Sequence, residues 1–160
     1  MRAALGIAVA VCALWLSSPA QAADTVVDLS GAVPDDGLRH FFIELEVPTG
    51  IKEIEIAHDD LSADNILDWG LLDEKGAFRG WGGGNSENAV VGEAAASRSY
   101  LPGPIGAGKW KIVVGKAKIK QTPASYSVQV TMRDLATLPP QTTRTPYKAV
   151  APLLTETRWY

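Results

Sequence analysis

An all-β domain, an antiparallel β-sandwich of jelly-roll type, is the fold class that this sequence predicts. Three observations carry it: apolar residues recur at every second position in several runs, turn residues separate those runs, and no helical period is sustained. Roughly seven to nine short strands fit between the Gly, Pro and Asn/Asp turns.

Val26 to Leu29 is a short apolar stretch. His40 to Val47 alternates, with Phe41, Ile43, Leu45 and Val47 on one face and His40, Phe42, Glu44 and Glu46 on the other. Pro48-Thr49-Gly50 marks a turn, after which Ile54 and Ile56 alternate with Glu53 and Glu55. Leu67, Trp69 and Leu71 continue the period of two. Asp73-Glu74-Lys75-Gly76 forms a hairpin loop whose glycine takes the left-handed position, and Phe78 to Trp81 returns. Trp110, Ile112 and Val114 share a face, as do Tyr126, Val128, Val130 and Met132. The single short helix expected lies around Leu61 to Leu67, capped by Ser62 or Asp64. No internal repeat is visible.

The N-terminus has a different character. Met1-Arg2 precedes an apolar run from Ala3 to Leu16, too short to span a bilayer, and Ala20-Gln21-Ala22 gives a small-x-small ending. These features describe a secretory signal peptide over residues 1–22; a buried N-terminal helix is the competing reading. Cleavage would leave 160 − 22 = 138 residues. Cys12, the single cysteine, lies inside the removed segment, so the mature chain is expected to have no disulfide, thiol nucleophile or thiolate ligand. An exported protein, periplasmic or extracellular, follows. The formal charge of −3 becomes −4 without Arg2, which argues against a generic nucleic-acid binder. No second apolar run is long enough to cross a membrane.

The domain expected over residues 23–134 gives way to a linker over 135–160, where Pro139, Pro140, Pro146 and Pro152 stand amid Thr and Ala. The chain then closes on Trp159-Tyr160. Exposed aromatics bring a free tail nothing, whereas aromatics that enter a following domain are buried.

Candidate chemistry is sparse. Gly103 to Lys109 has the glycine and lysine spacing of a phosphate loop, but Trp110 replaces the magnesium-binding hydroxyl residue, Pro104 removes a cradling amide and a strand follows. It reads as a turn. Asp59, Asp60, Asp64, Asp68 and Asp73 do not match a calcium loop, and turn formation accounts for most of them. His40 and His58 sit at strand ends outside any two-histidine motif. Lys116, Lys118 and Lys120 share a face, either to attract an anion or, more economically, to block edge-to-edge pairing. Phe78-Arg79-Gly80-Trp81 beside Gly82, Gly83 and Gly84 is the most distinctive segment. It suits either an exposed stacking platform or a tight corner with Trp81 packed inward. The candidate ligand surface is Arg79, Trp81 and Tyr100. No catalytic, cofactor-binding or metal-binding residue is expected.

Three segments, in order, resemble a known domain: Leu67-Asp68-Trp69-Gly70-Leu71-Leu72-Asp73, Phe78 to Gly84, and Ser99-Tyr100-Leu101-Pro102-Gly103-Pro104-Ile105 leading into Gly108-Lys109-Trp110-Lys111-Ile112. They look like the N-terminal β-sandwich of secreted bacterial PHP-domain (CehA/McbA-type) metal-dependent phosphoesterases, over about Val26 to Arg133. In that family a linker and a catalytic PHP domain follow, the latter opening with an aromatic pair before Arg-Gly-Asp-Leu-His-x-His-Thr. Trp159-Tyr160 resembles that pair, so the family's catalytic residues have no counterpart in this chain. The resemblance therefore implies a non-catalytic accessory sandwich, present as a truncated or split product. Divalent metal is expected only in the PHP domain, which is itself the expected partner. The alternative is a free-standing module for a glycan or small ligand.

Overall fold

Residues 24–141 are described by the computed structural model; the expected signal peptide, most of the expected linker and the Trp159-Tyr160 pair lie outside the described residues. Eight strands form: β1 (Thr25–Ala32), β2 (His40–Val47), β3 (Glu53–Asp59), β4 (Ile66–Leu72), β5 (Phe78–Gly83), β6 (Ala89–Gly92), β7 (Gly108–Lys118) and β8 (Ser125–Arg133). They make two four-stranded sheets, ordered β1-β8-β3-β6 and β2-β7-β4-β5, and every pairing is antiparallel. This is the eight-stranded jelly roll, two Greek keys folded into a sandwich.

The expected faces assemble the core. Ile43, Leu45 and Val47 of β2, Leu67, Trp69 and Leu71 of β4, and Trp110, Ile112 and Val114 of β7 are buried against Ile54, Ile56, Val128, Val130 and Met132 of the facing sheet. Trp110, Leu71, Ile54 and Val130 are fully enclosed, so a period of two has been converted into one dry layer between sheets. β6 has four residues, too few for alternation to declare itself.

Three local outcomes refine the sequence expectations. No helix forms at Leu61 to Leu67, or anywhere among the described residues. Ser62 does act as a cap, its Oγ accepting from the Asp64 and Asn65 amides, but the chain then enters β4 because Leu67, Trp69 and Leu71 are needed in the core. Asn65 replaces helical bonding with long-range bonding: its Oδ1 accepts from the Lys120 and Gln121 amides and its Nδ2 donates to the Gln121 carbonyl. The hairpin after β4 forms as expected, with Gly76 left-handed (φ 76°) and Asp73 Oδ1 accepting from the Lys75 and Ala77 amides.

The third outcome concerns Glu53. The alternation puts it on the outward face of β3, yet its side chain is fully enclosed. The chain beyond β8 covers it.

Replacing Trp110 or Val128 by Asp would place an unpaired carboxylate in the inter-sheet layer, costing several kcal/mol. Loss of the cooperative thermal transition is expected; a melt near that of the parent protein would show that these side chains do not lie between the sheets.

Candidate functional site

The three resemblance segments converge at one end of the β2-β7-β4-β5 sheet. β5 is its edge strand, and its pairing with β4 is irregular twice, where Arg79 is the extra residue between Phe78 and Gly80 and Gly82 the extra one between Trp81 and Gly83. The first irregularity turns Arg79 inward while leaving Phe78 and Trp81 on the outer face.

Arg79 is almost wholly buried and works as a staple. Its Nε donates to the Leu101 carbonyl at 3.2 Å, Nη1 to Pro104 at 3.0 Å and Nη2 to Gly103 at 3.0 Å. Its guanidinium carbon stands 5.2 Å from the Trp110 ring centroid, a cation–π arrangement inside the fold. Burial pushes the Arg79 pKa down, and the charges of Asp73 and Glu74 oppose that shift. With its fork filled by three carbonyls, Arg79 is committed to the loop that follows β6.

Tyr100 is held in the same unit. Ser99 adopts φ 73° and its carbonyl accepts from the Trp81 amide, while the Leu101 amide donates to the Arg79 carbonyl. This lays residues 99–101 along the edge of β5. Gly80, at φ 143°, makes the approach possible, since a Cβ there would meet the Tyr100 Cα at 2.6 Å. The Tyr100 hydroxyl donates to the Trp69 carbonyl at 3.2 Å, and its ring packs on the core. Burial raises its pKa, with the Gly82 backbone opposing.

Trp81 faces the other way. A Cβ on Gly70 would meet its Cε3 at 2.4 Å, and one on Gly115 would meet Cη2 at 3.0 Å and Cζ2 at 3.1 Å. Opposite edges of the benzo ring therefore rest over two glycines on β4 and β7, so the indole lies along the sheet rather than standing on it. The candidate surface expected from sequence is thus divided: Arg79 and Tyr100 are engaged within the fold, and Trp81 alone presents itself outside.

The residues that surround Trp81 come from register. Phe42, Val113, Gly70 and Trp81 form one row across the sheet, and Glu44, Lys111, Leu72 and Phe78 form the next. His40, Gly115 and Asp68 form a third row on the other side. A shallow groove of about 530 Å³ results, with Phe42 and Phe78 about half exposed along it. Phe42 and Phe78 belong to different strands, and only the pairing registers show that they flank one indole. A polar-face aromatic at Phe42 was the one signal in the sequence.

A second cluster lies on the outer face of the other sheet. Thr137 donates to Glu53 through both its amide (2.9 Å) and its hydroxyl (2.6 Å), the Leu138 amide donates to Glu53 Oε2 (3.1 Å), and Arg133 bonds Glu53 Oε1 (3.1 Å) and Glu55 Oε2 (2.6 Å). Gln141 follows, its amide donating to the Ala94 carbonyl and its Nε2 to that of Ala96. Residues 135–141, linker by composition, are thus pinned to the start of β3 and to the loop after β6. Burial pushes the Glu53 carboxyl pKa up, but the bonds from Thr137, Leu138 and Arg133 outweigh it and leave the group below its ordinary 4.5.

Lys116, His58, Asp59, Asp64 and Asp73 have structural roles. Lys116 Nζ bonds the Pro34 carbonyl and pairs with Asp36 at 2.7 Å, so it is not aligned with Lys118 and Lys120 as an anion site. His58 stacks on Trp69 (4.6 Å, 15°), and burial lowers its pKa. Asp59 and Asp73 bond turn amides, Asp64 accepts from Gln121, and among the described residues no three His, Cys, Asp or Glu side chains converge to hold a metal ion. No known family model matches the chain, and no curated protein matches it.

Two measurements test these assignments. Arg79→Met takes the donor from the Leu101, Gly103 and Pro104 carbonyls and removes the contact with Trp110; a loss of about 3 kcal/mol in unfolding free energy is expected by denaturant titration. Arg79→Lys, which cannot reproduce the fork, should recover only part of it. For the clamp, a carboxyl held below its ordinary pKa stabilises the fold above that value, and the contribution fades as pH falls through the folded pKa. Stability should decline below about pH 4.5. Glu53→Gln should be less stable at neutral pH and show a shallower acid decline than the parent; an equally steep decline would remove Glu53 from the account.

Proposed function

We propose that this sandwich is the non-catalytic accessory domain of an exported PHP-type metal-dependent phosphoesterase. The observation that carries the reading is the clamp on residues 135–141. Thr137 and Leu138 bond Glu53, and Gln141 bonds the Ala94 and Ala96 carbonyls, so the chain is held against the sandwich as far as Gln141. A chain anchored to the sandwich at its exit suits a domain that positions, shields or helps to select substrate for a catalytic partner.

The resemblance supports the same reading in a second way. Its three segments are the ones joined by Arg79 and Tyr100, which makes them a signature of the fold's own construction rather than of a reaction centre. In this reading the divalent metal and the hydrolytic residues belong to the PHP domain, and the sandwich contributes geometry and surface.

The test has two arms. The genomic DNA beyond the codon for Tyr160 is expected to encode Arg-Gly-Asp-Leu-His-x-His-Thr, in frame or after one frameshift. A stop codon with no such sequence nearby would overturn the reading. The purified chain is expected to leave bis(p-nitrophenyl) phosphate intact in the presence of manganese or zinc. Metal-dependent hydrolysis abolished by a chelator would overturn its non-catalytic role.

A further inference from the structure

The outer face of the β2-β7-β4-β5 sheet carries a feature that the accessory-domain reading does not use. We propose that the groove over Trp81 is a binding site for a neutral pyranose, the sugar ring stacking on the indole. This site stands independently of whether a catalytic domain follows.

Four observations converge on that ligand. The indole lies down on Gly70 and Gly115, which leaves its opposite π-face toward the groove, and it is fixed there without help from a ligand. A pyranose has the complementary shape: one face of axial C–H groups that packs on a π-system, with hydroxyls around its rim. The two glycines matter because any Cβ at either position would lift the ring.

Polar groups sit where rim hydroxyls would reach. Asp68 and His40 flank Gly115 in the row beside the indole, and Arg39 lies next to His40 at that same end. Among the described residues none of these three side chains bonds or pairs with another group, apart from the edge-on contact of His40 with Phe42. The Trp81 indole N–H likewise has no acceptor among the described residues and lies on the Gly83 side of the ring. A carboxylate, an imidazole, a guanidinium and an indole N–H offer both donors and acceptors, as hydroxyls require.

Charge selects a neutral ligand. Arg39 and Asp68 oppose each other within the groove, and Lys116, the other cation lining it, is neutralised by Asp36 at 2.7 Å. Lys111, beside the groove, stands over the Phe42 ring at 5.6 Å, so no cluster of free cations faces the indole to favour a phosphate, a nucleotide or an acidic peptide. Size agrees: about 530 Å³, open along the sheet, is within the range of small-molecule sites and holds one or two sugar rings. Phe42 and Phe78, both lining the groove and about half exposed, add apolar surface beside the indole.

The experiment is a titration of the purified protein with a panel of neutral oligosaccharides: cellohexaose, xylohexaose, mannohexaose, maltohexaose and chitohexaose. Binding is followed by tryptophan fluorescence and calorimetry. Saturable binding of at least one sugar is expected, weakened about tenfold or more in Trp81→Ala and held closer to the parent level in Trp81→Tyr. His40→Ala, a change at an exposed side chain that leaves the core untouched, should weaken it by roughly threefold to tenfold. Thermal melting of each variant shows that the fold persists. A flat response to the whole panel would overturn the proposal, as would binding that Trp81→Ala leaves unchanged. A concentration-dependent dimer dispersed by Trp81→Ala would overturn it in favour of self-association through this face. None of these outcomes depends on what lies beyond Tyr160, so failure here and failure of the accessory-domain reading are separate events.

Discussion

One buried guanidinium ties this sandwich together at its edge. Arg79 reaches inward from an irregularity in β5, lies against Trp110 at the centre of the core, and donates to three carbonyls of the segment Leu101 to Pro104. Taking a cation out of water costs several kcal/mol, so the side chain is tolerated only because every arm of its fork finds an acceptor. The consequences spread in both directions. The loop after β6 is drawn onto the edge strand, which covers an otherwise open ladder. Tyr100 is thereby seated over Gly80 and bonded to the Trp69 carbonyl. The inward turn of Arg79 is also what leaves Trp81 and Phe78 together on the outer face.

The two outer faces of the sandwich have different fates. On the β1-β8-β3-β6 sheet, the chain leaving β8 doubles back: Thr137 and Leu138 cover a carboxylate that would otherwise be solvated, and Gln141 bonds the Ala94 and Ala96 carbonyls. On the β2-β7-β4-β5 sheet, no described segment covers Trp81, Phe42 and Phe78, and Phe42 and Phe78 stay about half exposed. Burying two such phenyl rings would release several kcal/mol at the usual value per unit of apolar area. A fold that keeps them in contact with water, beside an indole held flat by two glycines, has that surface available for a ligand.

The strands themselves were legible because each depends on a local alternation. Ile43, Leu45 and Val47, or Trp110, Ile112 and Val114, must share a face whatever the rest of the chain does, and burying that face is the largest favourable term available. The expected helix at Leu61 to Leu67 failed for the converse reason. A local capping residue, Ser62, was present and was used, but Leu67, Trp69 and Leu71 repay more in the inter-sheet layer than one helical turn would.

By itself, then, the sequence determined the fold class, the inward faces of most strands and the hairpin at Gly76, since each rests on residues close together in the chain. Only the tertiary structure decided the roles of Arg79, Glu53 and Trp81. Arg79 is satisfied by carbonyls more than twenty residues away, with Leu101 the nearest at a separation of 22. Glu53 is buried by Thr137, 84 residues on. Trp81 lies flat because Gly115, on a strand not adjacent to its own, has no side chain. A long-range partner leaves no periodic mark in either segment, and whether a polar or aromatic side chain on a strand is a staple, a clamp or a platform is fixed by what the register brings opposite it.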